Sequence, residues 1–515
     1  MASELAKLAK RTRASKPRTK SGCLTCKIRH VKCDEQKPEC RRCTSTGRKC
    51  DGYGQPRPNK SRIPEVQHPA IGSDHRVVLR PGTTEERHYV HFFCTQTTRA
   101  FAGIFDSDFW NHFLPQLSQA EPVVRHAVAA VSAVHEGFLV QAGNRTKEIE
   151  GNRDAFALQQ YNKAIKFLLE YLASPDQKRG LTLITCCLFV CLEMLKGNNK
   201  QALDHLEAGL VIFQQQRALD FPAGVVSDLS HLLTRLDIQL SLHGRAMAPR
   251  GINGGAEGSP MSAEYDWKDI LDARHSLDDL MNTTMRFIRM AGYERTTDRT
   301  FLQLRQDMLK RELSAWNARF NRFLKGGRKK FKRAESRVTS LLRVQYMVTL
   351  IWMKTCLAGD EMVFDYYKPG FEELVHHAAE FLRPDRGRER KTTCSPPGYF
   401  TLEAGIIPPL YYTATKCRDP LVRREAIRLL HTCPQKEGMW HMKLLAKVAE
   451  LVVAVEEAAW STIPVEHRIP AVTSRVYDAI MPEAIERSPC QVILRLMPEG
   501  PTRGSRTRVE YVEWA

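Results

Sequence analysis

Apolar positions in the long C-terminal part of the chain recur at helical spacing. Val124, Ala127, Val128, Val131 and Val134 fall three or four residues apart, the interval that places side chains on one face of an α-helix. Four further sets repeat the pattern: Tyr161, Ile165, Leu168 and Leu172; Ile184, Leu188, Cys191 and Leu195; Leu203, Leu206, Leu210 and Phe213; Leu229, Leu233, Leu236 and Leu240. Each set predicts one amphipathic helix. Glu121-Pro122 marks a helix start, since proline loses no hydrogen bond at the first helical position, and residues 197–199 mark a tight break between two helices. Successive hairpins of this kind predict a helical array of tetratricopeptide-like character that lacks that repeat's own signature. No apolar run is read as reaching transmembrane length. Only over residues 490–497 and 507–514 does the period fall to two, with Gly and Pro between, which predicts a terminal β-hairpin.

The first tenth of the chain follows no such period. Cys23, Cys26, Cys33, Cys40, Cys43 and Cys50 form two copies of Cys-x2-Cys-x6-Cys. A thiolate-bound zinc ion takes four ligands in a tetrahedron, so six sulfurs serve two ions only if two of them bridge. The equivalent first cysteines of the two halves, Cys23 and Cys40, are the natural bridges; Cys26 and Cys33 then complete one ion, and Cys43 and Cys50 the other. A disulfide framework would need an oxidising compartment, and the N-terminal stretch has no apolar core of a secretory signal. Single-ion fingers are excluded by the lack of paired histidines.

Charge sharpens the picture. Residues 1–60 carry 17 Lys and Arg against 5 Asp and Glu, a net +12 of the whole chain's +19. Concentration on one short segment is the electrostatic footprint of nucleic-acid binding, whereas a generally basic enzyme would spread it. Within the basic arm, residues 1–20, Lys7, Lys10, Arg11, Arg13, Lys16, Arg18 and Lys20 read as a nuclear import signal or as added phosphate grip. A mitochondrial transit peptide is the weaker alternative. Residues 54–83 hold Pro56, Pro58, Pro64, Pro69 and Pro81 in a polar stretch and read as a flexible linker. That linker shows no sustained heptad, so a homodimer would have to form elsewhere.

The string SGCLTCKIRHVKCDEQKPECRRCTSTGRKCDGY, residues 21–53, resembles the Zn(2)-Cys(6) binuclear cluster of fungal transcription factors. The resemblance implies two zinc ions, bridging by the first and fourth cysteines, and major-groove base reading by the third and fourth residues after the second cysteine, here Arg29 and His30. Lys or Arg is usual at the latter place and reads a CGG-like half-site; His30 departs from it and reaches less far. Ile28 and Val31, three apart, are expected to pack one face of a short helix on the cluster. Lys27, Lys32, Arg41, Arg42, Arg48 and Lys49 are read as phosphate contacts, which position without specifying.

A second resemblance covers residues 84–515. PPLYYTATKCRDPLVRREAIRLLHTCPQKEGMW, ALDHLEAGLVIF and RLDIQLSLHG resemble the large regulatory domain of the same fungal regulators, which implies no shared catalytic residue. Enzyme signals are weak: no G-x-S-x-G elbow occurs, and Gly251, Gly254, Gly255 and Gly258 read as a loop. Cys186, Cys187 and Cys191 read as buried small hydrophobes, His376 and His377 as ordinary neighbours on a helix, and the basic run of residues 325–333 as an exposed loop or second import signal. The expected chain is therefore mostly α, with a small cluster, a large all-α regulatory domain and a terminal β-hairpin. Its expected function is that of a zinc-dependent, sequence-specific DNA-binding transcription factor of RNA polymerase II genes, nuclear, meeting co-regulators or the transcription machinery and no membrane. The alternative is a helical scaffold or co-regulator with only weak non-specific DNA binding.

Overall fold

The computed structural model describes residues 22–53, 82–105, 107–142, 150–174, 179–214, 221–243, 267–293, 298–327, 333–383, 400–403, 405–460, 462–482, 488–497 and 504–514. The chain divides into two units, Met1–Val77 and Val78–Ala515. The import residues Lys10 to Lys20, most of the linker and the glycines from Gly251 to Gly258 lie outside the described residues.

In the first unit two short helices, α1 (Leu24–Ile28) and α2 (Arg41–Thr44), each start directly after the first cysteine of a half, Cys23 and Cys40. The interior between them is sulfur: all six cysteines are at most 7% exposed. The expected packing of Ile28 and Val31 on the cluster is not found. Ile28 is 75% exposed and Val31 38%, because Arg29 caps α1 and His30 turns to φ +55°, which carries Val31 off the helix face. Cys26 alone fills the buried side of α1.

The second unit opens with α3 (Thr84–Phe92), whose start is fixed by a reciprocal pair: Thr83 Oγ1 accepts from the Glu86 N–H and Glu86 Oε2 from the Thr83 N–H. The chain continues through a π turn into α4 (Thr98–Ala102), and through a second into α5 (Leu114–Ala120). There follow α6 (Pro122–Ala142), α7 (Glu150–Leu172), α8 (Arg179–Lys196), α9 (Asn199–Gln214) and α10 (Ala223–Leu242). Pro122 stands at the start of α6 as expected, and Gly197 makes the α8–α9 turn at φ +86°, a value that suits a residue without Cβ. Consecutive helices pack as pairs, α6 on α7 and α8 on α9. On α7 the most buried positions are Arg153, Phe156, Ala157, Gln160 and Ala164, while Leu172 is exposed. The true buried stripe is thus rotated from the one that Tyr161, Ile165 and Leu168 suggest.

One apolar core lies among α3 to α10, and Phe400, Leu402 and Met439 enter it from far along the chain. A second, centred on the buried Trp316, Phe320 and Phe371, joins α11 (Ile270–Tyr293), α12 (Arg299–Gly327), α13 (Arg333–Thr355), α14 (Lys368–Leu382), α15 (Ile407–Lys416), α16 (Pro420–Leu430) and α17 (Met442–Glu456). Gly326 and Gly327 belong to the end of α12, so the first residues of the basic run are helical. Over Pro122–Val140, α6 is long and apolar enough to cross a membrane by length and composition, contrary to expectation. It is mostly buried against α3, α5, α7 and α8, as a core helix is.

The expected hairpin is present as β5 (Cys490–Leu496) and β6 (Arg506–Val512), antiparallel. A preceding strand, β4 (Val476–Ile480), completes the order β4-β5-β6. A second sheet was not foreseen: β1 (Phe400–Thr401) lies parallel to β2 (Lys436–Glu437), and β2 antiparallel to β3 (Trp440–His441). From β2, buried Lys436 donates to the Met194 carbonyl in the last turn of α8. Next to it, Glu437 Oε2 accepts the N–H groups of Gly405, Ile406 and Ile407 at the start of α15, each at 2.9 Å. A cation at one helix C-terminus and a carboxylate at another helix N-terminus both suit the helix dipole.

Charge is also buried where α15, α16 and α17 meet the β4 sheet. Glu456, wholly buried, lies 2.8 Å from Arg423 and 3.1 Å from Arg418, and accepts the Val476 N–H at 2.8 Å. Burial alone would raise its carboxyl, but the two guanidiniums outweigh that and hold it below its ordinary range. Glu456→Ala should therefore cost about 3–5 kcal/mol, whereas Lys447→Ala, which removes an exposed pair with Glu450, should cost less than about 1 kcal/mol; urea unfolding of both variants checks this. Because the folded carboxyl titrates below the unfolded one, near ~4.3, the Glu456 contribution is present above that pH and lost as pH falls further.

Candidate metal centre and nucleic-acid interface

The two halves of the first unit share part of their bonding, although Cys23 Sγ also accepts the Cys26 N–H while Cys40 makes no such cap. The Cys23 N–H donates to Cys33 Sγ at 3.4 Å, and the Cys40 N–H to Cys50 Sγ at the same distance. The Lys27 N–H reaches the Cys23 carbonyl as the Thr44 N–H reaches that of Cys40. His30 (φ +55°) and Glu35 (φ +61°) hold left-handed backbone in the first half, and Gly47 (φ +64°) and Gly52 (φ +72°) hold it at the matching places in the second. A Cβ on either glycine would meet nothing within 4 Å. Backbone conformation, not space, is what favours glycine there.

The sulfurs converge. Cys23 Sγ lies 3.5 Å from Cys40 Sγ and 3.8 Å from Cys43 Sγ, and Cys26 Sγ lies 3.7 Å from both Cys40 and Cys43. Those four have ligand atoms within 4.8 Å of one another, and Cys33 meets Cys40 and Asp34 within the same radius. A tetrahedron with metal–sulfur bonds of ~2.3 Å has edges of about 3.8 Å, so the spacing is that of sulfurs around shared ions. Burial pushes the Cys23, Cys26 and Cys40 thiols up. Burial also opposes ionisation of Cys33, but N–H groups of Cys23 and Glu35 prevail and bring it to about 7. Ionised sulfurs packed this closely need a cationic counter-charge, which divalent ions supply.

Side chains that the spacing did not single out close the unit. Thr25 Oγ1 donates to Asp51 Oδ2 at 2.8 Å and accepts the Asp51 N–H at 3.0 Å, joining the start of α1 to the last cysteine loop. Tyr53 donates to the Gln36 carbonyl at 2.7 Å and lies 3.8 Å from Cys33 Sγ. Asp34 accepts the Arg42 N–H at 3.1 Å. Short polar residues beside cysteines give little sequence signal, since their partners are up to 26 residues away.

The basic residues lie outside this sulfur core. Lys27, His30, Lys32, Arg41, Arg42, Arg48 and Lys49 are exposed, and Arg29 is half-buried at the C-cap of α1 with Nη1 3.4 Å from Thr46 Oγ1. The Thr46 contact orients one edge of the guanidinium.

In the second unit Cys186, Cys187 and Cys191 are buried in α8, with thiols raised by burial, and Cys186 Sγ lies 2.9 Å from the His205 carbonyl. Among the described residues they belong to no metal-ligating group. His376 and His377 are neighbours on α14. A cavity of about 280 Å³ is lined by Asp228, His231, Arg235, Arg274, His275 and Glu403, among others. Burial and the two arginines push His231 down to about 4, and Arg235 and Arg274 are held by Glu403 and Asp278. In the cavity wall the two arginines and the two carboxylates thus offset one another.

Comparison with known proteins agrees with this geometry. The fungal Zn(2)-Cys(6) binuclear cluster domain matches residues 21–60, and the fungal specific transcription factor domain matches residues 87–357. The aspercryptin biosynthesis cluster-specific transcription regulator of Emericella nidulans is 26% identical, over 86% of this chain and 88% of its own length. A transcription regulator of Purpureocillium lilacinum is 30% identical over 38% of this chain and 49% of its own, and a transcriptional regulatory protein of Schizosaccharomyces pombe is 44% identical over 21% and 20%. No solved structure matches. The six converged cysteines and the matched cluster domain together imply two zinc ions. Elemental analysis of the purified chain should give two zincs per molecule; because zinc supplies folding energy and needs deprotonated thiols, chelation or acidification should unfold the cluster, read as loss of amide protection over residues 22–53.

Proposed function

The chain belongs to the fungal transcription regulators that join a Zn(2)-Cys(6) binuclear cluster to a fungal specific transcription factor domain, and from this we propose a nuclear, sequence-specific regulator of RNA polymerase II genes that reads CGG-like half-sites in the major groove. It is a DNA-binding transcription factor by family and not an enzyme. The observation that carries the finer reading is the division inside the cluster unit, where sulfur fills the interior and the basic side chains stand outside it.

Zinc, when bound, supplies the counter-charge that lets six thiolates share one interior. In the proposed ligand set Cys23 and Cys40 bridge, Cys26 and Cys33 complete one ion, and Cys43 and Cys50 the other. Support comes from the matched hydrogen bonds of the two halves and from the 3.5 Å approach of Cys23 to Cys40. Cys40→Ala should release both zincs and Cys50→Ala chiefly one, measured by metal content after gel filtration; equal losses would remove the bridging assignment.

Arg29 and His30 end α1 at the surface and are assigned to base edges. Arg is suited to guanine O6 and N7. His30 presents its ring from left-handed backbone, a conformation that histidine adopts more readily than most residues. Lys27, Lys32, Arg41, Arg42, Arg48 and Lys49 are assigned to phosphates. Import through Lys10, Arg11, Arg13, Lys16, Arg18 and Lys20 belongs to the same proposal, as do pairing with a second copy and contact of the helical unit with co-regulators or the transcription machinery.

Base and phosphate contacts should fail differently. Arg29→Ala should lose about 1–3 kcal/mol on the selected site and flatten preference at one position, while Arg42→Ala should weaken all sequences alike and lower the salt slope by about one unit. Titration against selected and scrambled duplexes at several salt concentrations separates the two. Equal affinity of the unmodified chain for both duplexes would favour a helical scaffold or co-regulator with weak non-specific DNA binding.

A further inference from the structure

The β4-β5-β6 sheet covers α17 with one face and leaves the other to solvent. Val476, Cys490, Val492, Leu494 and Val512 are buried against Leu444, Val448 and Val452. Because strand side chains alternate, the intervening positions form the outer face. There Ile480 pairs with Ile493, and Ile493 with Val509, so an apolar row crosses all three strands in register. Ile480 is 46% exposed, Val509 49% and Tyr511 67%.

The two edges of this sheet differ. β4 carries a register shift between Val476 and Asp478, an irregularity that spoils further pairing. β6 pairs with β5 without interruption from Arg506 to Val512 and contains no proline. Among the described residues no strand lies on its outer side. An unbroken edge of seven residues is a template for another strand.

Charge along β6 selects the strand that fits. Arg508 and Glu510 flank Val509 and already form an ion pair within the strand. If a second β6 lies antiparallel about Val509, Arg508 of each copy faces Glu510 of the other. Moving the centre of symmetry by one residue instead sets Arg508 against Arg508, or Glu510 against Glu510, and like charges directly opposite are destabilising. The centred register also joins the apolar rows of the two sheets through Val509. We propose that the outer edge of β6 is a self-pairing surface, through which two copies form one continuous six-stranded sheet. This rests on the reading that the chain pairs with a second copy, for which the proline-rich linker offers no heptad.

A single strand edge buries less than the roughly 1,200 Å² of a stable standard interface, so the dimer should be weak and concentration-dependent. Sedimentation velocity of the full chain over a concentration series tests it. Arg508→Glu and Glu510→Arg should each weaken association by about tenfold, since symmetry counts each new like-charge contact twice. The double variant, which restores opposite charges across the edge, should recover the original association. Val509→Lys, on the half-exposed outer face, should yield monomer with unchanged helix content. A dimer that survives Val509→Lys and both single charge reversals would place the interface elsewhere and overturn the β6 assignment, leaving pairing intact. A chain that stays monomeric throughout would overturn both.

Discussion

A charge taken out of water has to meet its opposite, and that constraint is what the rest of this structure depends on. In the cluster unit the buried groups are sulfurs, and their counter-charge arrives as metal. Without it, burial pushes the Cys23, Cys26 and Cys40 thiols toward the neutral form, and the interior between α1 and α2 is sulfur. The second unit meets the same demand from its own residues. Glu456 sits between Arg418 and Arg423, and Glu361 receives Arg418 and Lys416. One unit is therefore conditional on metal, whereas these buried charges of the other are met by its own side chains.

Lys436 and Glu437 show how the constraint links distant sequence. The pair occupies a two-residue strand, yet one side chain closes the end of α8 and the other opens α15. The two apolar cores of the second unit are thus tied at a point where neither is apolar. Burial pulls Lys436 down to about 8 and lifts Glu437 to about 7, so both groups titrate nearer neutrality than lysine or glutamate does in water. The helix ends give each a reason to stay charged.

Legibility in the sequence followed periodicity. Leu229, Leu233, Leu236 and Leu240 announced α10 because a long amphipathic helix repeats its signal several times, and the cysteine spacing announced the cluster because metal geometry tolerates few alternatives. Where a signal cannot repeat, it was lost. β1, β2 and β3 have two residues each, too few for an alternation, and the irregularity in β4 breaks its period. Ile28 and Val31 kept helical spacing past the point where His30 had ended the helix. Arg418, Arg423 and Glu456 carry no sequence signal, because their partnership spans the gap between helices and appears in no local pattern.

The matched left-handed positions have a consequence for how the cluster divides its labour. A duplicated unit needs the same backbone turn in both copies, and glycine makes it at Gly47 and Gly52 with least steric cost. In the other copy His30 and Glu35 make it with side chains attached, against a preference of order 1–2 kcal/mol. The second half is thus reduced to scaffold at those corners, while the first keeps chemical groups there. Two copies that fold alike are thus unequal at these corners: one turns on bare backbone, and the other carries side chains there.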